Sequence, residues 1–171
     1  MRALKYFLPV LAIALVAGCA GYHLGPVNGA VAGEKSIEIL PFNNQTLQPR
    51  LNDAVTEAVR ERIQTDATYR LVTTSGDSDL VMSGTLLQYS HAALGYLNRS
   101  FVTPQNYRVG VTVRVTVRER ASGKVLFSRD VKGHTLVNVG LDFASSERQA
   151  MPLLAADLAE NVVKELAEGS W

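Results

Sequence analysis

The chain's only cysteine, Cys19, lies in the stretch LVAGCAGYHLG. A lone thiol cannot close an intramolecular disulfide, so it is either buried or kept for reaction. Its setting points to reaction. Arg2 and Lys5 give a positive start, Tyr6 to Val16 an apolar run, and Ala17 and Gly18 small residues just before the thiol. That order is the grammar of a secretory signal, and its apolar run falls short of the about 20 residues a spanning helix needs. A second set of reactive types is the arginine series in YRVGVTVRVTVRER, where Arg108, Arg114 and Arg118 share one parity. Guanidinium groups grip phosphate through two parallel hydrogen bonds, though arginine and threonine also dress solvated sheet faces and guard edges. A third set is apolar: Leu94, Tyr96, Leu97 and Phe101 fall in HAALGYLNRSFVTPQNY, which lacks clean periodicity and reads as a loop. Such side chains either fold back over an open sheet edge or contact a partner.

The Val-Ala-Gly-Cys run resembles the bacterial lipobox, in which the signal is cut before the cysteine and the thiol is acylated. The alternative is an ordinary signal peptide cut at a small-residue site, with the cysteine there by chance. Three acyl chains on Cys19 would exceed the two signals that stable anchoring takes, at about 0.8 kcal/mol per buried methylene. Ala20, rather than an aspartate, follows the cysteine, which by the same resemblance implies the outer membrane and its periplasmic face. The expected layout is therefore a removed signal over 1–18, a lipidated N-terminus and glycine-rich tether over 19–35, and one domain over 36–171. Loss of Arg2 and Lys5 takes the seventeen basic residues to fifteen against sixteen acidic ones, a net charge of −1. That balance argues against a nucleic-acid partner, which calls for a strongly basic footprint.

The elements that must position these residues follow from hydrophobic period. SIEILPF alternates as a first strand ended by Pro41, and NNQT marks a turn. Leu51, Val55, Ala58, Val59, Arg62 and Ile63 then recur at helical spacing, predicting an amphipathic helix over Pro49 to Thr65 with Arg62 as its one polar member. YRLV and LVMSGTLLQYS read as strands, with Gly84 a candidate bulge. Val109, Val111, Val113, Val115 and Val117 alternate with polar residues, so one face of that strand is buried and the other wet. ASGK turns the chain into VLFSRDVKGHTLV as a hairpin partner, and a second helix is expected between Ser145 and Glu168. Two helices cover only one face of such a sheet. The expected fold is an α+β two-layer sandwich, two helices on one face of a four- to five-stranded, mainly antiparallel sheet.

GCAGYHLG, IEILPFNNQT, SDLVMSGTLLQYS and YRVGVTVRVTVRERASGKVLFSRDVKG together resemble the lipopolysaccharide-assembly lipoproteins, the LptE-like family. One departure is Ala20, an extra residue between the lipid cysteine and Gly-Tyr-His-Leu. The resemblance implies an outer-membrane lipoprotein that plugs and helps assemble a large β-barrel translocon, the LptD-like partner. It also implies lipopolysaccharide as cargo at the terminal step of export. On that footing Arg108, Arg114 and Arg118 are candidate lipopolysaccharide phosphate contacts. Leu94, Tyr96, Leu97 and Phe101 are candidate contacts for the barrel or for acyl chains. The same strand–helix–strand order also resembles curli-type or flagellum-associated envelope lipoproteins.

Catalytic signatures are missing. His23, His91 and His134 are scattered, no Cys-x-x-Cys or His-x-x-x-His spacing occurs, and GDSD over 76–79 reads as Asx-type turns. No cofactor, metal or enzymatic activity is expected. A tethered hydrolase and a generic binding module remain the alternatives from other classes.

Overall fold

The computed structural model describes residues 33–74, 76–96, 104–138 and 142–168. Within them the order is β1 (Ser36–Ile39), β2 (Asn43–Asn44), α1 (Leu51–Asp66), β3 (Arg70–Leu71), β4 (Leu80–Tyr96), β5 (Pro104–Glu119), β6 (Val125–Asn138) and α2 (Phe143–Glu168). The strands form one sheet in the order β3-β1-β4-β5-β6, with β2 adding to β4 beyond β1. The expected sandwich is present, with six strands and a mixed sheet. β1 runs parallel to β3 and β4, and β2 parallel to β4, while β4, β5 and β6 form an antiparallel meander. The parallel pairs exist because α1 is the crossover that carries the chain from β1 back to β3.

The valine row decides which face is the core. Val109 and Val111 are 2 % exposed and Val113, Val115 and Val117 wholly buried, each contributing roughly 1.5–3 kcal/mol of apolar burial. Against them lie Leu154, Leu158, Val162 and Leu166 of α2, and Leu51, Val55, Val59 and Ile63 of α1. Arg62, counted in the apolar series, is exposed instead, and Thr56 takes an unexpected buried place on the same helix. Its hydroxyl accepts from the Phe42 N–H at 3.0 Å and donates to the Asn52 carbonyl at 2.7 Å, fastening the β1–β2 link to the helix. Pro152 lies inside α2 on its exposed side, where the N–H it lacks removes one helical hydrogen bond.

Two glycines mark the tightest approaches. A Cβ on Gly84 would sit 2.4 Å from the Phe42 ring, so Gly84 makes room for an aromatic lid rather than forming the expected bulge. The bulge falls at Leu87, between the pairs Leu86–Val113 and Gln88–Thr112. A Cβ on Gly133 would sit 2.6 Å from Leu158 Cβ and 2.8 Å from its Cα, so α2 rests directly on β6 there.

Several polar contacts lock the sheet at the end near the β5–β6 turn. Asp79 Oδ2 accepts from the Ser36 N–H at 2.8 Å and the Ser36 hydroxyl at 2.6 Å, which holds its carboxyl below the ordinary range. The GDSD carboxylates thus serve a long-range clamp at Asp79 rather than only a local turn. Arg120 bonds the Ser78 carbonyl and hydroxyl and pairs with Glu38, which is 8 % exposed.

Replacing Gly133 with alanine should lower stability by about 1–3 kcal/mol, because α2 must lift off the sheet to admit the methyl group. Urea unfolding of the variant beside the parent protein checks this.

Candidate functional site

The helix-free face of the sheet is left open by the described elements, and its polar residues are set by parity with the valine row. Arg108, Arg114 and Arg118 all lie on it and all are exposed. They form a row rather than a cluster. Arg108 and Arg118 are ten residues apart on one strand, about 34 Å at 3.4 Å per residue, so no single phosphate reaches both. Arg114 is already engaged. Its Nε and Nη2 donate to Asp130 on β6 at 2.7 and 2.8 Å, which raises the arginine's pKa and lowers the aspartate's. Arg108 and Arg118 make no hydrogen bond or ion pair within the described residues, and they are the two free cations of the row. Arg120, adjacent in sequence, faces Glu38 and Ser78 instead and takes no part.

The stretch read as an irregular loop is largely sheet. β4 runs on to Tyr96 and β5 begins at Pro104, so His91 to Tyr96 and Pro104 to Tyr107 are strand, a correction with a simple cause. The extra residue at Leu87 reverses the parity of β4: Met82, Gly84 and Leu86 face the helices before it, Tyr89, His91 and Ala93 after it. A second register shift at Leu94 blurs the pattern again. Leu94 itself is 48 % exposed and does not fold back over the sheet. Of the other apolar candidates, Tyr96 ends β4, while Leu97 and Phe101 lie outside the described residues, as does Cys19. Around Arg108 the register places Ala92 on one side and Leu136, 58 % exposed, on the other. The outer face at this end is therefore a free cation flanked by apolar side chains.

Beneath the same end lies a cluster that composition and motif gave no reason to expect. Glu147, in the first turns of α2, accepts the Tyr89 hydroxyl at 2.7 Å, and His91 Nε2 meets the same Oε1 at 2.6 Å. The His91 and Tyr107 rings stand edge-on to Phe143, at 5.2 and 4.8 Å between centroids. Burial and the facing Glu147 carboxylate push the Tyr89 phenol well above its ordinary range. Its only sequence signal is the odd-numbered aromatic spacing Tyr89–His91, visible once the bulge is placed. The cluster ties the projecting strands to the start of α2. Among the described residues no group of histidine, cysteine, aspartate or glutamate could hold a metal, and no helix is long and apolar enough to cross a membrane.

A phenol whose pKa is raised by folding adds stability below its unfolded pKa of about 10, and that stability is lost as pH rises through the folded value. Thermal unfolding followed above pH ~10 should therefore fall less steeply for Tyr89→Phe and for Glu147→Gln than for the parent chain.

Solved structures share the fold at low identity. A hypothetical protein from Chlamydia trachomatis matches with a TM-score of 0.56 and 12 % identity, over 80 % of this chain and 96 % of that one. A protein from Xanthomonas campestris matches at 0.58 and 8 %, over 85 % and 91 %. A minor lipoprotein from Acinetobacter baumannii matches at 0.51 and 13 %, over 78 % and 92 %. No curated protein matches the sequence. The profile of the LptE family, described as lipopolysaccharide-assembly, matches residues 34–166, from the start of β1 nearly to the end of α2. The chain belongs to the LptE lipopolysaccharide-assembly family.

Proposed function

We propose that this protein is an outer-membrane lipoprotein, anchored through Cys19, that plugs and helps assemble a large LptD-like β-barrel. In that place it aids the last step of lipopolysaccharide export. The observation that carries the reading is the family match across nearly the whole folded part, residues 34–166. The fold suits a plug, with a two-layer domain braced by α1 and α2, one wet sheet face, and an apolar-and-cationic end at Ala92, Arg108 and Leu136. A plug works by shape and contact, so no catalytic step is assigned to it.

Direct contact with lipopolysaccharide phosphate falls to Arg108 and Arg118, because Asp130 already occupies the guanidinium of Arg114. The two sites are too far apart to act on one phosphate and would grip separate groups, or separate molecules. A charge-assisted hydrogen bond is worth about 1.5–3 kcal/mol net, so losing one costs roughly tenfold or more in affinity. Arg108→Glu with Arg118→Glu should weaken lipopolysaccharide binding in vitro by at least about tenfold, while Arg114→Gln changes it little. Unchanged binding in the double variant would remove phosphate contact from the role and leave the plug.

The whole reading is tested by purifying the full-length, C-terminally tagged protein from membranes, beside a Cys19→Ser form kept in the periplasm. One large, heat-modifiable β-barrel should copurify in roughly equal amount with the parent. A ring of the protein itself, or the protein alone, would favour the curli-type or solitary-lipoprotein reading instead.

A further inference from the structure

The two long edges of the sheet are treated differently. On β6 the outward backbone groups are taken up by α2: Asp157 Oδ2 accepts from the His134 N–H at 2.8 Å, and Asn161 Nδ2 donates to the Lys132 carbonyl at 3.1 Å. Strand addition along the middle of that edge is blocked. On β4 the outward groups are satisfied only as far as Leu86, where the carbonyls of Met82 and Leu86 accept from Leu40 and Gln45. Beyond Leu86, among the described residues, no strand pairs with β4 on this side.

The free part can be read residue by residue. Met82 and Leu86 direct their backbone groups away from β5, and one extra residue at Leu87 shifts the alternation. Tyr89, His91 and Ala93 therefore direct their N–H and C=O groups outward, while Gln88, Ser90 and Ala92 bond to β5. That leaves three donors and three acceptors at a repeat of about 7 Å, with no proline or lysine from Gln88 to Tyr96 to discourage pairing. The surroundings are open on both faces as well. Gln88, Ser90, His91, Ala92, Ala93 and Leu94 are all exposed, although Ala92, Ala93 and Leu94 are apolar.

We infer that this edge of β4, centred on Tyr89, His91 and Ala93, is a strand-addition site whose occupant is an extended segment of the β-barrel partner. The inference rests on the function proposed above and supplies the contact through which the two proteins join. Lipid and sugar do not present alternating donors and acceptors at this repeat, whereas an extended polypeptide does. Arg108 adds a preference. It lies beside Ala92 on the outer face, unpaired, and the small Ala92 side chain leaves its guanidinium a path toward a strand lying beyond β4. Two strand spacings of about 4.8 Å separate them, within reach of arginine and a carboxylate together. The occupant should thus carry an acidic residue on that face, opposite Ala92, and once it is seated Arg118 is the arginine of the row left for phosphate.

The test is amide hydrogen exchange on the full-length lipidated protein, free in detergent and in the complex that copurifies with it. The amides of Tyr89, His91 and Ala93 should slow by at least about tenfold in the complex, and those of Ser90 and Ala92 should change little. This comparison needs no variant. Ala93→Pro then removes one outward donor without touching a bond to β5, and should lower barrel recovery several-fold while the free chain keeps its melting temperature. A complex that forms with all three amides still exchanging freely overturns the inference and leaves the plug reading intact. Protection that appears in the free protein as its concentration and mass rise assigns the edge to a second copy and also overturns it. Failure of any barrel to copurify removes both readings.

Discussion

The domain depends on one contact: α2 lying directly on the sheet at Gly133. Without a side chain there, Leu158 brings the helix axis close enough for Leu154, Val162 and Leu166 to reach the valine row of β5. The same close approach places Asp157 and Asn161 over the β6 backbone, so core packing and edge protection come from one docking geometry. Arg129 on β6 meets Glu165 of α2 at 2.8 Å further along, but that pair is exposed and follows the docking rather than causing it.

Much of this was legible in the primary structure because the burial constraint is one-sided. Five valines at strict period two can be read only as one buried face, and Leu51, Val55, Val59 and Ile63 only as a helix stripe. What hid was local. The parity change at Leu87 leaves each half of β4 regular but their sum aperiodic, so the strand looked as if it stopped near Ser90. Thr56 hid because a hydroxyl on an apolar stripe is recognisable only when its backbone partner, the Phe42 N–H, is known. Parallel pairing of β1 with β3 and β4 was equally invisible, since four- and two-residue strands carry too little pattern to show direction.

The candidate site was legible by residue type and not by arrangement. Parity alone put Arg108, Arg114 and Arg118 on the wet face. It could not show that Asp130 neutralises the middle one, because cross-strand partners depend on the hairpin register. Nor could it show that Arg120, two residues beyond Arg118, leaves the face to meet Glu38, a departure made where β5 ends and the chain turns. The result is a mainly polar sheet face with Arg108 and Arg118 free at its two ends, and Lys132, the Arg114–Asp130 pair and the Thr116 and Ser128 hydroxyls between them.

The end of that face near Arg108 has a physical peculiarity that bears on function. Beyond Leu86 the sheet outruns β1 and β2, and at Ala92 and Ala93 both faces of β4 are exposed. Short ribbons of this kind are marginal in water, and the Tyr89–Glu147–His91 contacts beneath are what hold this one to α2. Those contacts secure only its helix side. Leu94 and Leu136 stay exposed, and among the described residues no strand pairs with the outward groups of Tyr89, His91 and Ala93. A surface braced from below while its edge and apolar side chains stay open is organised for a partner that arrives as a strand. For a domain proposed to sit inside a β-barrel, joining through backbone hydrogen bonds has one further consequence. It fixes depth and orientation by register, which scattered side-chain contacts on a smooth polar face could not do.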